Sequence, residues 1–152
     1  MEYISRAGLC SSSLTVDIRD FVIEDYVAVA RLWKDCGFEE RPGDSLSGIK
    51  MKLERDPDLF LVAKEGAKVL GAVIGAWDGR RGWIYHIAVD PGSRRKKLGS
   101  ALVREVERRM RKKGALRVHA LIMKWNAPSL CMFQTLGYDC QDDLVVVGKA
   151  LE

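Results

Sequence analysis

Histidine is scarce in this chain, with only His86 and His119, and the four cysteines (Cys10, Cys36, Cys131 and Cys140) are scattered without a C-x-x-C pair. A metal centre needs several such groups at short, defined spacings, so no metal is expected and the cysteines read as reduced, structural thiols. No apolar run reaches the length needed to cross a bilayer, which argues against a membrane protein. Residues 1–13 have neither the basic start nor the apolar centre of a secretory signal, so a cytoplasmic location is the expectation. An internal repeat and a linker are missing too. At 152 residues, that leaves room for one domain with a real core.

What is present is the balance of a folded chain, 47% hydrophobic and 30% charged, with a formal charge of +4. The excess matters for its position, because Arg80, Arg81, Arg94, Arg95, Lys96 and Lys97 all fall within residues 80–97. Residues 1–13, which include three consecutive serines, read as a flexible tail, and residues 14–152 as the domain. Leu14, Val16 and Ile18 alternate with polar neighbours as a half-buried strand does. Val22, Tyr26, Val29 and Trp33 then recur at helical spacing until Gly37, and a shorter helix is predicted over 45–55.

Residues 59–64, 69–77 and 83–89 read as three strands of a meander, with turns at Glu65-Gly66-Ala67 and Asp78-Gly79. The clearest helix spans 98–113, where Leu102, Val106 and Met110 form one stripe and Arg111, Lys112 and Lys113 suit its negative end. A strand over 117–123, a short helix over 128–136 and a last strand over 144–151 complete the pattern. Strands in a meander followed by alternating helices and strands imply an α/β fold, with a mixed, mostly antiparallel sheet flanked by helices.

The segment from Ile87 through Asp90-Pro91-Gly92 to Leu98-Gly99-Ser100 carries the chemistry. A strand, a turn and a loop that opens into a helix start present backbone N–H groups in the arrangement that receives a diphosphate, and the basic side chains add attraction for further phosphate. Coenzyme A has a diphosphate and a 3′-phosphate at one end and an amide-rich arm at the other, which suits a loop of donors beside an unpaired strand edge. A second cluster, Asn126, Ser129, Phe133, Leu136, Gly137 and Tyr138, follows at a fixed distance.

Taken together these residues resemble the GNAT N-acetyltransferase superfamily. Its R-x-x-G-x-G/A loop falls on residues 94–99, its N-x-x-A-x-x-x-Y-x-x-L-G-F/Y pattern on residues 126–138, and residues 79–91 are similar to its small YpeA-type members. The resemblance implies a GNAT fold with a splay between strands four and five, and transfer of an acetyl group from acetyl-coenzyme A to a primary amine by direct attack in a ternary complex. It implies that the backbone of Ile87, Ala88 and Val89 pairs with the pantetheine arm. The amides of Arg94, Arg95, Lys96, Lys97, Leu98, Gly99 and Ser100 would hold the diphosphate, and Asn126, Ser129 and Phe133 would line the cofactor. A backbone N–H near Val89 would stabilise the oxyanion. By the same resemblance the acceptor would be an amine on a small molecule, a lysine or a protein N-terminus, which Glu39 and Glu40 could draw in; a homodimer is compatible with this reading.

Departures from the family pattern sharpen the expectations. Lys97 stands where the loop's first glycine belongs, and it donates its N–H if its φ stays negative. Phe133 replaces a tyrosine that protonates the departing thiolate in many members. His86 and Tyr85 are then the catalytic candidates. His86 has the titration range of a base, although a histidine in an apolar strand is also a common core residue. Tyr85, by strand alternation, faces the cleft with Trp83, Ile87 and Val89 or packs in the core. For Glu39 and Glu40 a solvated loop is the commoner explanation of such a pair. Two other functions compete: a GNAT-like module that binds acyl-coenzyme A without turnover, motivated by Lys97 and Phe133, and a nucleic-acid surface on the basic loop. Glu105 and Glu107, interleaved on the same helix, argue against nucleic acid.

Overall fold

The computed structural model describes residues 15–151; the expected tail over 1–13, Cys10 and the strand start at Leu14 lie outside them. Strand β1 (Val16–Asp20) leads through a tight turn into helix α1 (Tyr26–Asp35), and helix α2 (Leu46–Arg55) follows. The first helix begins later than its apolar period suggests, because Asp25 has another task. Its carboxylate accepts two bonds from the Arg19 guanidinium (2.8 and 2.9 Å) and one from the Val22 N–H (3.1 Å). Val22, expected on the buried stripe, is exposed, whereas Val29, Leu32 and Trp33 are buried.

Strands β2 (Phe60–Glu65), β3 (Lys68–Trp77) and β4 (Gly82–Val89) form the antiparallel meander, and β1 pairs with β2 on its outer side. Helix α3 (Leu98–Lys112) crosses back so that β5 (Val118–Ala120) adds in parallel beside β4, and helix α4 (Ala127–Thr135) closes the sequence of elements. The sheet order is β1-β2-β3-β4-β5. Two cores flank it. One packs Phe21, Val29, Trp33, Phe60 and Ile74 under α1 and α2, and the other packs Leu61, Val73, Ile84, Leu102 and Met110 under α3. The stripe of Leu102, Val106 and Met110 is wholly buried, as its spacing requires.

Two expected strands differ. The strand expected over 117–123 is shorter, since β5 pairs only with Gly82, Trp83 and Ile84 before its last bond, Leu121 N–H to the Ile84 carbonyl at 3.0 Å. The strand expected over 144–151 does not form. Leu144, Val145, Val146, Val147 and Leu151 are 64–91% exposed, and apolar composition without a partner edge makes no ladder.

Candidate active site

The strand that carries the site is irregular where the site begins. Ala72 opposes Ala88 and Ile74 opposes Tyr85, so β4 holds one residue more than β3 between these pairs, and His86 absorbs it with φ of 49°. Such a bulge bends a strand and re-aims its side chains. Past it, alternation is broken: Tyr85 packs with the core under α1, whereas Ile87 and Val89 pack with the core under α3. The expectation that Tyr85 shares a face with Ile87 and Val89 is corrected by this one inserted residue. Because β5 pairs no further than Ile84, the edge from Tyr85 to Val89 has no strand beside it on that side among the described residues. Two elements diverge here as the resemblance implied, leaving a cleft lined by main chain.

The open edge runs directly into the basic loop. After a helical turn over Pro91–Ser93, Arg95 and Lys97 both adopt left-handed backbone, with φ of 65° and 60°. The condition set for Lys97, a negative φ, is therefore not met; it takes the conformation for which glycine is suited, at a cost of about 1 kcal/mol. It is also the N-cap of α3, and its side chain makes no cap bond to the first turn of that helix, nor does any other side chain among the described residues. The contrast within the chain is clear. Ser45 accepts from the Gly48 N–H at the start of α2, and Asn126 accepts from the Ser129 N–H (3.2 Å) at the start of α4. The amides opening α3 are left as donors, at the positive end of the longest helix.

Gly99 is buried in that first turn, and a β-carbon there would lie 2.9 Å from the Met132 sulfur and 3.6 Å from Val89. Its small size lets α3 approach both α4 and β4. Arg94, Arg95, Lys96 and Lys97 are exposed, and Ser100 is half-buried. Arg94 also braces the strand end: its Nε donates to the Val89 carbonyl (3.3 Å), which the Cys36 thiol approaches at 3.4 Å. Ala88 is buried and Ile87 half-buried, so these residues offer backbone rather than side chain to the cleft. Phe133, expected beside the cofactor, is instead 3% exposed in the core under α3, edge-on to Tyr138 at 4.9 Å. The Tyr138 hydroxyl donates to Glu107, and burial followed by that carboxylate holds the phenol well above its ordinary range.

On the α1 side of β4 lies a cavity of about 570 Å³ lined by Tyr26, Trp33, Phe38, Glu39, Glu40, Asp44 and His86, together with Arg31 and Lys34. Glu39 and Glu40 are exposed and stand at the rim of this cavity. His86 stands edge-to-face with Trp33 at 5.0 Å and against Phe38 at 5.3 Å, and its Nε2 lies 2.9 Å from Asp44 Oδ1. Burial raises the Tyr85 phenol, with Asp56 and Asp78 adding to the effect, so it is an un-ionised hydroxyl at neutral pH. Asp44 and Trp33 were not singled out as site residues in the sequence. An Arg-Pro-Gly-Asp-Ser run signals a turn and nothing more, and the indole sits on a stripe that reads as core. Among the described residues no three His, Cys, Asp or Glu side chains cluster to hold a metal, and no helix is long and apolar enough to cross a membrane.

Comparison with known proteins agrees with this arrangement. Residues 18–138 match the acetyltransferase (GNAT) family. The acetyltransferase SG1711 of Sodalis glossinidius is 32% identical over 136 residues, covering 90% of this chain and 96% of that protein. Acetyltransferase ECA0875 of Pectobacterium atrosepticum is 33% identical over the same shares. Among solved structures, Ard1 from Thermoplasma volcanium superposes with a TM-score of 0.75 at 23% identity, covering 83% of this chain and 84% of that one. The PaiA N-acetyltransferase from Thermoplasma acidophilum, solved in complex with coenzyme A, gives 0.73 at 20% identity, covering 84% and 92%. At such identities the structures speak for the fold, and the sequence relatives speak for the family. With its splayed fourth strand and the long helix that opens beside it, this chain belongs to the acetyltransferase (GNAT) family.

Proposed function

We propose that this acetyltransferase takes its acetyl group from acetyl-coenzyme A and passes it to a primary amine in a ternary complex. The observation that carries the reading is the continuity of two surfaces: the unpaired β4 edge from Tyr85 to Val89 leads into the uncapped start of α3. An amide-rich arm suits the first, and a diphosphate suits the second. In this arrangement the amides of Leu98, Gly99 and Ser100, which open α3, hold the diphosphate, while Arg94, Arg95, Lys96 and Lys97 supply positive charge around it. The backbone of Ile87 and Val89 pairs with the pantetheine arm. Asn126 commits its carbonyl oxygen to the Ser129 N–H, so its two amide hydrogens are what it offers to the arm.

The thioester carbon then sits at β4, where a backbone N–H near Val89 stabilises the oxyanion as the amine attacks. The amine arrives from the cavity on the α1 side, with Glu39 and Glu40 at its rim to attract an ammonium group. Catalysis is chiefly the alignment of nucleophile and thioester. Phe133 supplies neither acid nor cofactor contact in this scheme, because its ring lies in the core. The test is release of free coenzyme A thiol from acetyl-coenzyme A with spermidine, with a lysine-containing peptide and with a peptide bearing a free N-terminus. Turnover with at least one of these is expected; saturable binding of acetyl-coenzyme A with no turnover on any of them would favour a binding module instead.

A further inference from the structure

His86 and Asp44 are 42 residues apart in the chain and are joined by the 2.9 Å contact between Nε2 and Oδ1. A carboxylate only accepts, so Nε2 carries a proton, and in the neutral ring Nδ1 presents a lone pair. That second nitrogen engages no partner among the described residues, and it is not among the sealed polar atoms without one, which are Trp33 Nε1 and His119 Nδ1. The His86 side chain is 20% exposed and lines the cavity, while Asp44 is 14% exposed beneath it. The carboxylate is itself fixed. Its other oxygen accepts the Arg41 N–H at 3.0 Å, and the Asp44 carbonyl accepts from the Tyr26 hydroxyl at 3.1 Å. A left-handed backbone at the bulge, a ring held between Trp33 and Phe38, and a carboxylate locked by a turn all fix one orientation of one imidazole. Packing alone would not require a half-buried carboxylate on one ring nitrogen and an open lone pair on the other.

We infer that His86 is the base that takes the proton from the acceptor ammonium, and that Asp44 is the positioning residue that holds its ring and tautomer. The inference rests on the acetyl-transfer reading. His86 Nδ1 accepts one proton from the ammonium, and the freed nitrogen lone pair forms the N–C bond to the thioester carbon. The C–S bond breaks with its electron pair leaving on sulfur. The second proton shed by the nitrogen goes to that thiolate, and His86 returns its own to water, so that amide, thiol and one released proton balance the equation. Arg31, Lys34, Glu39 and Glu40 line the same cavity and set the field around the base.

Two measurements on the full chain test this. Nitrogen-15 NMR of the histidine rings, without any ligand, is expected to show His86 protonated on Nε2, with Asp44→Asn moving a large share of the population to Nδ1. The same tautomer in both proteins would overturn the positioning role. With spermidine or either peptide as acceptor, Asp44→Asn is expected to lower kcat at least about tenfold and His86→Gln about a hundredfold, within the usual worth of a general base, while KM for acetyl-coenzyme A stays within about twofold. In the His86→Gln background, Asp44→Asn should cost nothing further. A loss that falls on the KM of the amine, or that persists in the double variant, would make Asp44 a direct contact for the substrate cation and refute the proposal. Failure of the wild-type chain to turn over any amine would sink acetyl transfer itself, and the base with it, while the ring tautomers still report on the Asp44 contact.

Discussion

Lys97 and Gly99 stand two residues apart in the same loop and have opposite problems. Lys97 has a side chain where the backbone favours none, with φ of 60°, and Gly99 lacks one where there is no room. Lys97→Gly should therefore stabilise the fold by about 1 kcal/mol, raising the melting temperature about 2–4 °C, and calorimetry checks it. Acetyl-coenzyme A affinity is expected to persist, since the amides rather than the ammonium carry the diphosphate. Gly99→Val should do two things together. Pressed against Met132 and Val89, the new side chain costs about 1–3 kcal/mol of packing and pushes α4 away from the start of α3, and cofactor affinity falls with it. A glycine at this position was legible as a phosphate-loop residue; its second duty, packing against Met132 from another helix, was not.

At the level of elements, periodicity revealed the long helix and the meander, because Leu102, Val106 and Met110 or the runs at 60–65 and 68–77 carry their pattern locally. It did not reveal the bulge. No glycine marks His86, and the extra residue shows only in the register against β3. The expected strand over 144–151 failed for the converse reason, since a β-rich composition says nothing of whether an edge awaits it. The cofactor surface was legible as a contiguous stretch; the Asp44–His86 contact joins the segment between α1 and α2 to β4, past α2, β2 and β3 and beyond any local pattern. The packing of α2 against that segment yields a further prediction, at Gly48 in the first turn of the helix. In a helix interior Ala is normally preferred to Gly by about 1 kcal/mol. Here a β-carbon on Gly48 would fall 2.2 Å from the Gly43 carbonyl oxygen, next to Asp44. Gly48→Ala should therefore destabilise the chain and reduce turnover as Asp44 is displaced, and thermal melts alongside initial rates measure both.

For the whole molecule, acidic groups tie its periphery together. Asp25, 5% exposed, would be raised by burial alone, yet the Arg19 guanidinium, the Val22 N–H and Lys64 at 3.6 Å bring it below its ordinary value. Arg108, then Arg109, hold Glu105 down to about 2 against the effect of burial. Arg109 in turn bonds Asp20 and the Asp58 carbonyl, linking α3 to β1 and to the approach to β2. A carboxylate whose folded pKa is depressed adds stability that is present above its unfolded value and lost as pH falls through the folded one. Melting temperature should thus hold from neutrality to about pH 4 and drop steeply toward pH 2. Asp25→Asn is expected to cost about 2 kcal/mol at neutral pH, and the gap to wild type should close in acid. A variant equally destabilised at pH 7 and pH 2.5 would show that the ion pairs play no part.

All of this turns on where the thioester carrier lies. A crystal structure of the chain with acetyl-coenzyme A decides it most directly. The account predicts the diphosphate oxygens within hydrogen-bonding distance of the N–H groups of Leu98, Gly99 and Ser100, the pantetheine arm along Tyr85 to Val89, and the acetyl carbon facing the cavity of His86. A cofactor bound elsewhere, with the start of α3 and the open edge of β4 untouched, would contradict it.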